Sequence, residues 1–296
     1  MTMSLGASVG RRQDSPAFDA TDGRRVTAFV LGGGGSLGAV QVGMLQGLLE
    51  AGVRPDMIVG TSIGALNGAF LASRPDLEGV SAMGDLWMSV RRPRVFRVSV
   101  RSFLCGVLGY RDHLFDALGL RGVIGEAELG FSRLEDAPLP VHVVATDVLN
   151  GTPVVLSSGE TTEALLASSA IPGVFPPVTV EDRILVDGGV VANLPVTQAI
   201  ELGATRLFVL PAVAVEIGAA PGGAIDMMQR SMMMTTAALA KADLDRAAAK
   251  ADVHVLPVPA PSQLSMFNFD ETSELMEAAH LGTSAWVDDF ERELVA

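Results

Sequence analysis

An apolar run that stops at four consecutive glycines constrains this chain more than any other feature. Arg25 to Leu31 (Arg-Val-Thr-Ala-Phe-Val-Leu) reads as a buried strand, and Ala39 to Glu50 carries apolar residues at helical spacing. The segment Gly32-Gly33-Gly34-Gly35-Ser36-Leu37-Gly38 is therefore a strand-to-helix loop. A second unit follows at once. Pro55 to Val59 is a short apolar strand, Ile63 to Ala72 is a Pro-free helical stretch, and Gly60-Thr61-Ser62-Ile63-Gly64 lies at their junction. Strand-helix-strand units are right-handed and put both loops at the C-terminal edge of a parallel sheet. The glycine run and Ser62 can thus converge although about thirty residues separate them. Short apolar strands keep alternating with helical stretches through the 296 residues, which favours one α/β domain over two.

Both loops suit anionic chemistry. Glycines let successive backbone N–H groups turn inward, and a helix starting behind them adds favourable potential for a phosphate or an oxyanion. Gly33-x-Gly35-x-x-Gly38 matches the dinucleotide fingerprint, but that reading needs an acidic residue ending the second strand. Here that strand ends at Gly60-Thr61-Ser62, and Asp56 sits at its other end. No Lys-Ser/Thr follows the glycines, so a Walker-type loop is also disfavoured. The glycines could instead serve only close helix-to-sheet packing. Ser62, flanked by Gly60 and Gly64, has the context of a nucleophile elbow: a tight turn with its hydroxyl at a helix N-terminus. An oxyanion hole beside it would place fixed donors about 3 Å from a tetrahedral intermediate.

A serine hydroxyl needs a base within hydrogen-bond reach. His113, His142, His254 and His280 are the histidines; none lies in a Gly-rich turn, and His142 and His254 interrupt short Val-rich strands, where a structural role is expected. Asp187 follows the apolar run Arg183-Ile184-Leu185-Val186 and opens Asp187-Gly188-Gly189. It is either a base or an ordinary turn aspartate.

Taken together, these residues resemble the patatin-like phospholipases, a family of lipid acyl hydrolases with a Ser-Asp dyad and no catalytic histidine. The resemblance runs from about Val26 to Pro211, through the glycine block, Gly60 to Gly64, Val143-Val144-Ala145-Thr146-Asp147, the stretch Ala167 to Pro177, Asp187-Gly188-Gly189, and Asn193-Leu194-Pro195-Val196. It implies a three-layer α/β/α sandwich with a mainly parallel central sheet and a cap-like insertion. It further implies Ser62 as nucleophile, Asp187 as base and the N–H groups of Gly33, Gly34 and Gly35 as oxyanion donors, with Gly38, Gly60, Gly64, Gly188 and Gly189 as motif glycines. The substrate would be a lipid ester, and no metal or organic cofactor is required. One position departs from the family: an Arg or Lys usually precedes the last glycine of the block, and this chain has Leu37 there.

The remainder bounds the reading. Residues 1–24 mix Arg, Asp, Ser and Gly without an apolar core and read as a tail that is not a signal peptide, leaving 25–296 as the domain. No run of eighteen apolar residues occurs, so no membrane span is expected, and the lone Cys105 fits a reducing, cytoplasmic setting. A net charge of -13 argues against nucleic acid as a partner. Yet Arg91, Arg92, Arg94, Arg97 and Arg101 crowd one stretch, interleaved with Val95, Phe96, Val98, Val100 and Phe103, inside an expected insertion at about 81–136. That stretch is either a cap touching anionic headgroups and acyl chains or a solvated face of an acidic protein. C-terminal helices and a strand are expected over 225–296. The Met-rich stretch Ile225 to Ala251, with Met227, Met228, Met232, Met233 and Met234, reads as a helix for core or subunit packing or, alternatively, as a plastic acyl-binding wall, and Glu271 to Leu294 as an amphipathic packing helix with Trp286 and Phe290. Two other readings stay open: an α/β-hydrolase with a Ser62, Asp187 and His254 or His280 triad, and a non-catalytic lipid-binding protein on the same fold.

Overall fold

The computed structural model describes residues 25–95, 108, 110–213, 223–259 and 268–295. The expected tail at 1–24, Arg97 and Arg101 of the basic stretch, its Phe96, Val98, Val100 and Phe103, and Cys105 all lie outside the described residues.

The chain begins as its first glycines require. Strand β1 (Thr27–Leu31) runs into the glycine loop, a 3-10 turn spans Gly35–Gly38, and α1 (Ala39–Glu50) returns along the sheet. Strand β2 (Met57–Thr61) leads through Ser62 into α2 (Ile63–Ser73). It reaches two residues further than the apolar run suggests, because Gly60 pairs with Leu31 on one side and with Val143 on the other. Main-chain pairing on both edges thus carries the strand up to the serine. Next come α3 (Leu77–Ser89), α4 (Arg92–Val95) and α5 (Leu118–Glu126), then β3 (Val141–Asp147), β4 (Thr152–Leu156) and α6 (Thr161–Ser168). They are followed by β5 (Val178–Val180), β6 (Arg183–Asp187), α7 (Val196–Glu201), β7 (Arg206–Leu210), α8 (Ala224–Ala248), β8 (Asp252–Val255) and α9 (Thr272–Val295).

The sheet has the order β5-β6-β3-β2-β1-β7-β8, with β4 paired to β3. From β3 through β8 every neighbour is parallel; β4, β5 and β6 are antiparallel additions. Side chains alternate across the pleat, so each strand feeds two cores. Phe29, Leu31, Ile58, Val143, Phe208 and Leu210 share one core with α1, α2, α3 and α9. Ala28, Val30, Met57, Val59, Leu207 and Val209 share the other with α7 and with Ala240 and Ala247 of α8. The result is a helix-sheet-helix sandwich, thick on one side and thin on the other.

Helix α1 is apolar nearly all round because it is enclosed between the sheet and α9. Close contact with α9 depends on Gly43, where a Cβ would lie 2.0 Å from the Met276 carbonyl oxygen. The Glu271 to Leu294 stretch is thus a packing helix, as its pattern suggests. Residues 81–89, expected in the insertion, belong instead to α3, whose Met83 and Trp87 are buried in the main core. Leu37, at the position where the family carries a cation, is buried in the same core.

Candidate active site

Ser62 stands between β2 and α2 with φ 55 and ψ -125, a left-handed backbone that side chains rarely adopt. Such strain persists only when surrounding contacts over-determine it. Here they do. The Ser62 N–H donates to Ser168 Oγ at 2.8 Å, and that hydroxyl donates onward to the Val144 carbonyl at 2.6 Å. Thr61 Oγ1 donates to the Ala192 carbonyl at 2.8 Å. At Gly64 the new helix passes so near β1 that a Cβ would fall 2.3 Å from the Leu31 carbonyl oxygen.

Asp187 reaches this elbow by strand direction. Along one edge of β3, β2 pairs up to Thr61↔Val144, and β6 takes over from Ala145↔Asp187 onward, running the opposite way. The two strands meet end to end. Ser62 Oγ donates to Asp187 Oδ2 at 2.6 Å, and the Gly189 N–H donates to Oδ1 at 2.7 Å. The Asp187 carbonyl accepts from Thr146 Oγ1 at 2.9 Å, and its N–H donates to the Ala170 carbonyl at 2.9 Å. Gly188 lies tight on β3, where a Cβ would sit 2.2 Å from the Val144 carbonyl oxygen. Burial pushes the Asp187 carboxyl up to about 6, although the Ser62 and Gly189 hydrogen bonds pull it down.

The glycine loop requires one correction. The Gly33 N–H donates to the Asn193 carbonyl at 3.2 Å, so Gly33 anchors the loop and has no N–H to offer an oxyanion. The N–H groups of Gly34 and Gly35 have no acceptor among the described residues. Gly35 has φ 60, a conformation that favours glycine. A buried side-chain relay braces the loop from behind. Trp87 Nε1 donates to Asn67 Oδ1 at 2.9 Å, and Asn67 Nδ2 donates to Gln41 Oε1 at 2.8 Å and to the Gly38 carbonyl at 3.0 Å. Gln41 Nε2 in turn donates to the carbonyls of Gly32 at 2.8 Å and Leu210 at 3.0 Å. Sequence reasoning gave no role to Ser168, Asn193, Gln41, Asn67 or Trp87. The available signal was an amide within an apolar helix, as at Gln41 and Asn67.

The histidines lie elsewhere. His254 packs against Phe208 and Phe290 with its Nε2 3.0 Å from Asp252 Oδ1, and His280 Nε2 is 2.6 Å from Glu50 Oε2. His142 bonds Ser157 Oγ through Nδ1 at 2.8 Å, and burial pushes it down to about 4. His113 pairs with Asp112 at 2.6 Å. Asp56 Oδ2 accepts the Thr27 N–H at 2.8 Å at the far end of β1, away from the glycine loop.

Two cavities open on Ser62. One, of about 90 Å³, is walled by α2, α3 and α5 through Leu66, Phe70, Leu86, Trp87 and Val123. The other, of about 300 Å³, holds Gly33, Gly34, Asp187 and Asn193 at its floor and α8 as its wall. Of the methionines for which packing and a binding wall were both open, Met232 and Met233 are half-buried and line this second cavity, while Met227 and Met234 are exposed. Arg91 and Arg92 are exposed, next to Val95, which lines the first cavity. No helix among the described residues is long and apolar enough to cross a membrane.

The fold and the site define an α/β protein with a buried serine-carboxylate pair at a nucleophile elbow. The family model described as patatin-like phospholipase matches residues 29–200, more than half of the chain. The chain belongs to the patatin-like phospholipase family. It is 34% identical to lysophospholipase nte1 of Aspergillus terreus over 205 residues, 66% of this chain and 12% of that protein. A putative patatin-like phospholipase domain-containing protein of Caenorhabditis elegans is 32% identical over 196 residues, 64% of this chain and 16% of that protein. The chain therefore spans only a small part of these relatives. Among solved structures it is similar to a human GIVD cytosolic phospholipase A2, at TM-score 0.45 and 10% identity over 88% of this chain and 57% of that one. VipD from Legionella pneumophila matches at TM-score 0.42 and 14% identity over 86% of this chain and 67% of that one.

Proposed function

We propose that this chain is a serine acyl hydrolase of lipid esters, with Ser62 as nucleophile, Asp187 as general base, and the Gly34 and Gly35 N–H groups as oxyanion donors. The observation that carries the proposal is the 2.6 Å hydrogen bond from Ser62 Oγ to a buried Asp187. A carboxylate in water is too weak a base for this task. Burial raises the proton affinity of Asp187 toward the range a general base needs near neutral pH. Ser62 Oγ attacks the ester carbon as Asp187 takes its proton, and the glycine donors meet the oxyanion as it forms. An acyl-Ser62 intermediate results, and Asp187 then activates the water that releases the acid. Membership of the patatin-like phospholipase family supports this reading. The triad alternative has no support, because the two Asp187 oxygens already engage Ser62 and the Gly189 N–H, His254 is packed among Phe208 and Phe290, and His280 pairs with Glu50.

The exposed Arg91 and Arg92, near Val95 in the lining of the first cavity, further support peripheral contact with an anionic lipid surface. Hydrolysis of p-nitrophenyl acyl esters by wild type, Ser62→Ala and Asp187→Asn tests the central claim, with folding of each checked by circular dichroism. Loss of activity and of fluorophosphonate labelling in folded Ser62→Ala is expected. Full activity in folded Asp187→Asn would remove the dyad.

A further inference from the structure

The two cavities at Ser62 are chemically unequal, and the difference assigns the two arms of the substrate. Ser62, Gly35 and Ile171 line both cavities, so the tetrahedral carbon formed on Oγ sits at their junction. Asp187 lines only the α8 cavity. The base that takes the Ser62 proton is the acid that must return it when the tetrahedral intermediate collapses: the bond from the acyl carbon to the alkoxide oxygen breaks, and Asp187 hands its proton to that oxygen. The leaving alcohol therefore departs on the Asp187 side, into the α8 cavity, and the acyl chain occupies the cavity between α2 and α3. In the second half water supplies the oxygen to the acyl carbon and a proton to Asp187, which then reprotonates Ser62.

The wall met by the alcohol is hydrocarbon. Met232, Met233, Ala237, Ala240 and Leu244 form a stripe at helical spacing along α8, faced by Val255, Leu256 and Val258. Thr236 lies in that stripe, but its hydroxyl is spent on the Met233 carbonyl at 3.0 Å. Ser62, Asp187 and Asn193 at the floor are the other polar side chains, and among the described residues no cationic side chain lines either cavity. A phosphate-bearing alcohol would lose its hydration there without a compensating partner.

Resting on the acyl hydrolase reading above, we infer that the preferred substrates are neutral esters with hydrocarbon on both sides of the scissile bond, the acyl chain between α2 and α3 and the alcohol's apolar arm along α8. Such substrates include acylglycerols with a second acyl chain and long-chain alkyl esters.

The test varies the two arms independently. Acid release is measured by titration for methyl, butyl and octyl octanoate, for methyl butanoate, and for octanoyl lysophosphatidylcholine, with wild type and Ser62→Ala. Lengthening the alcohol from methyl to octyl at fixed acyl chain should raise kcat/KM at least about tenfold, since each buried methylene contributes to transition-state binding. Ala237→Phe should collapse the octyl-to-methyl ratio and keep the octanoyl-to-butanoyl ratio of the methyl esters. Leu86→Trp should do the reverse, and Met233→Trp substitutes for Ala237→Phe if the latter does not fold. An alcohol series that is flat while hydrolysis still depends on Ser62 overturns this inference alone. So does a preference for the lysophospholipid over octyl octanoate, or an acyl-length effect of Ala237→Phe. Hydrolysis indifferent to Ser62→Ala instead removes the acyl hydrolase reading on which it rests.

Discussion

Ser62 and Asp187 are each held in a state that costs free energy: a left-handed backbone for one and a buried carboxyl for the other. The second cost has a measurable pH signature. With the Asp187 carboxyl raised from 3.8 to about 6, the kcat/KM profile should show an acid limb near pH 6 rather than near 4. The linkage to stability has a definite sign. A carboxyl raised on folding stabilises the fold below the pKa it has when unfolded, and that contribution is lost as pH rises through about 6. Asp187→Asn should therefore be more stable than wild type at pH 8, by at most about 3 kcal/mol, with the difference gone near pH 4. Urea melts of both proteins at the two pH values check this. Ser168 belongs at the same scale. Ser168→Ala removes the acceptor of the Ser62 N–H and the donor to the Val144 carbonyl, so kcat should fall about tenfold with KM little changed. The serine itself was legible from Gly60-Thr61-Ser62-Ile63-Gly64, because the turn demands that local pattern. Ser168 was not legible as a brace, since its partner lies 106 positions away in the chain.

Elements carry the next layer of constraint. The relay from Trp87 on α3 through Asn67 on α2 to Gln41 on α1 ties three helices to the glycine loop by buried, fully paired amides. Asn67→Leu would leave Trp87 Nε1 and Gln41 Oε1 without their partner, at a cost of about 3 kcal/mol in denaturant-measured stability. Trp87→Phe, which removes one end of the relay and keeps most of the ring, should cost less. Helix α9 gives a second test. Gly43→Val drives a side chain into the Met276 carbonyl and should destabilise the protein by at least about 2 kcal/mol. The pattern of Glu271 to Leu294 was enough to identify a packing helix. Its site of contact rests on the missing side chain at Gly43, which a sequence pattern read one helix at a time does not show. The methionines of α8 illustrate the same limit, because methionine spacing alone suits a cavity wall as well as a core.

At the scale of the molecule the charge is -13, which repels anionic surfaces everywhere except near clusters of arginine. Binding to anionic vesicles should therefore fall steeply with salt and be weakened by Arg91→Glu combined with Arg92→Glu; vesicle sedimentation measures both. Binding that is insensitive to salt and to these substitutions would sever the basic stretch from the lipid surface. The two cavities share Ser62, Gly35 and Ile171, so they meet where the end of β2 faces the glycine loop.

Asp187 as the partner of Ser62 came from the resemblance to the patatin-like phospholipases, whereas the sequence by itself determined the strand-loop-helix units, the parallel pairing that puts the glycine loop and Ser62 at one sheet edge, and the elbow serine. These depend on local periodicity and on turns that tolerate few residue types. Only the tertiary structure decided that Asp187 arrives on an antiparallel strand occupying the continuation of β2 along β3. It likewise decided that the Asn193 carbonyl takes the Gly33 N–H and that a methionine stripe faces the site. Each of these contacts joins residues distant in sequence, and each follows from the register and packing of the assembled sheet, which no local pattern encodes.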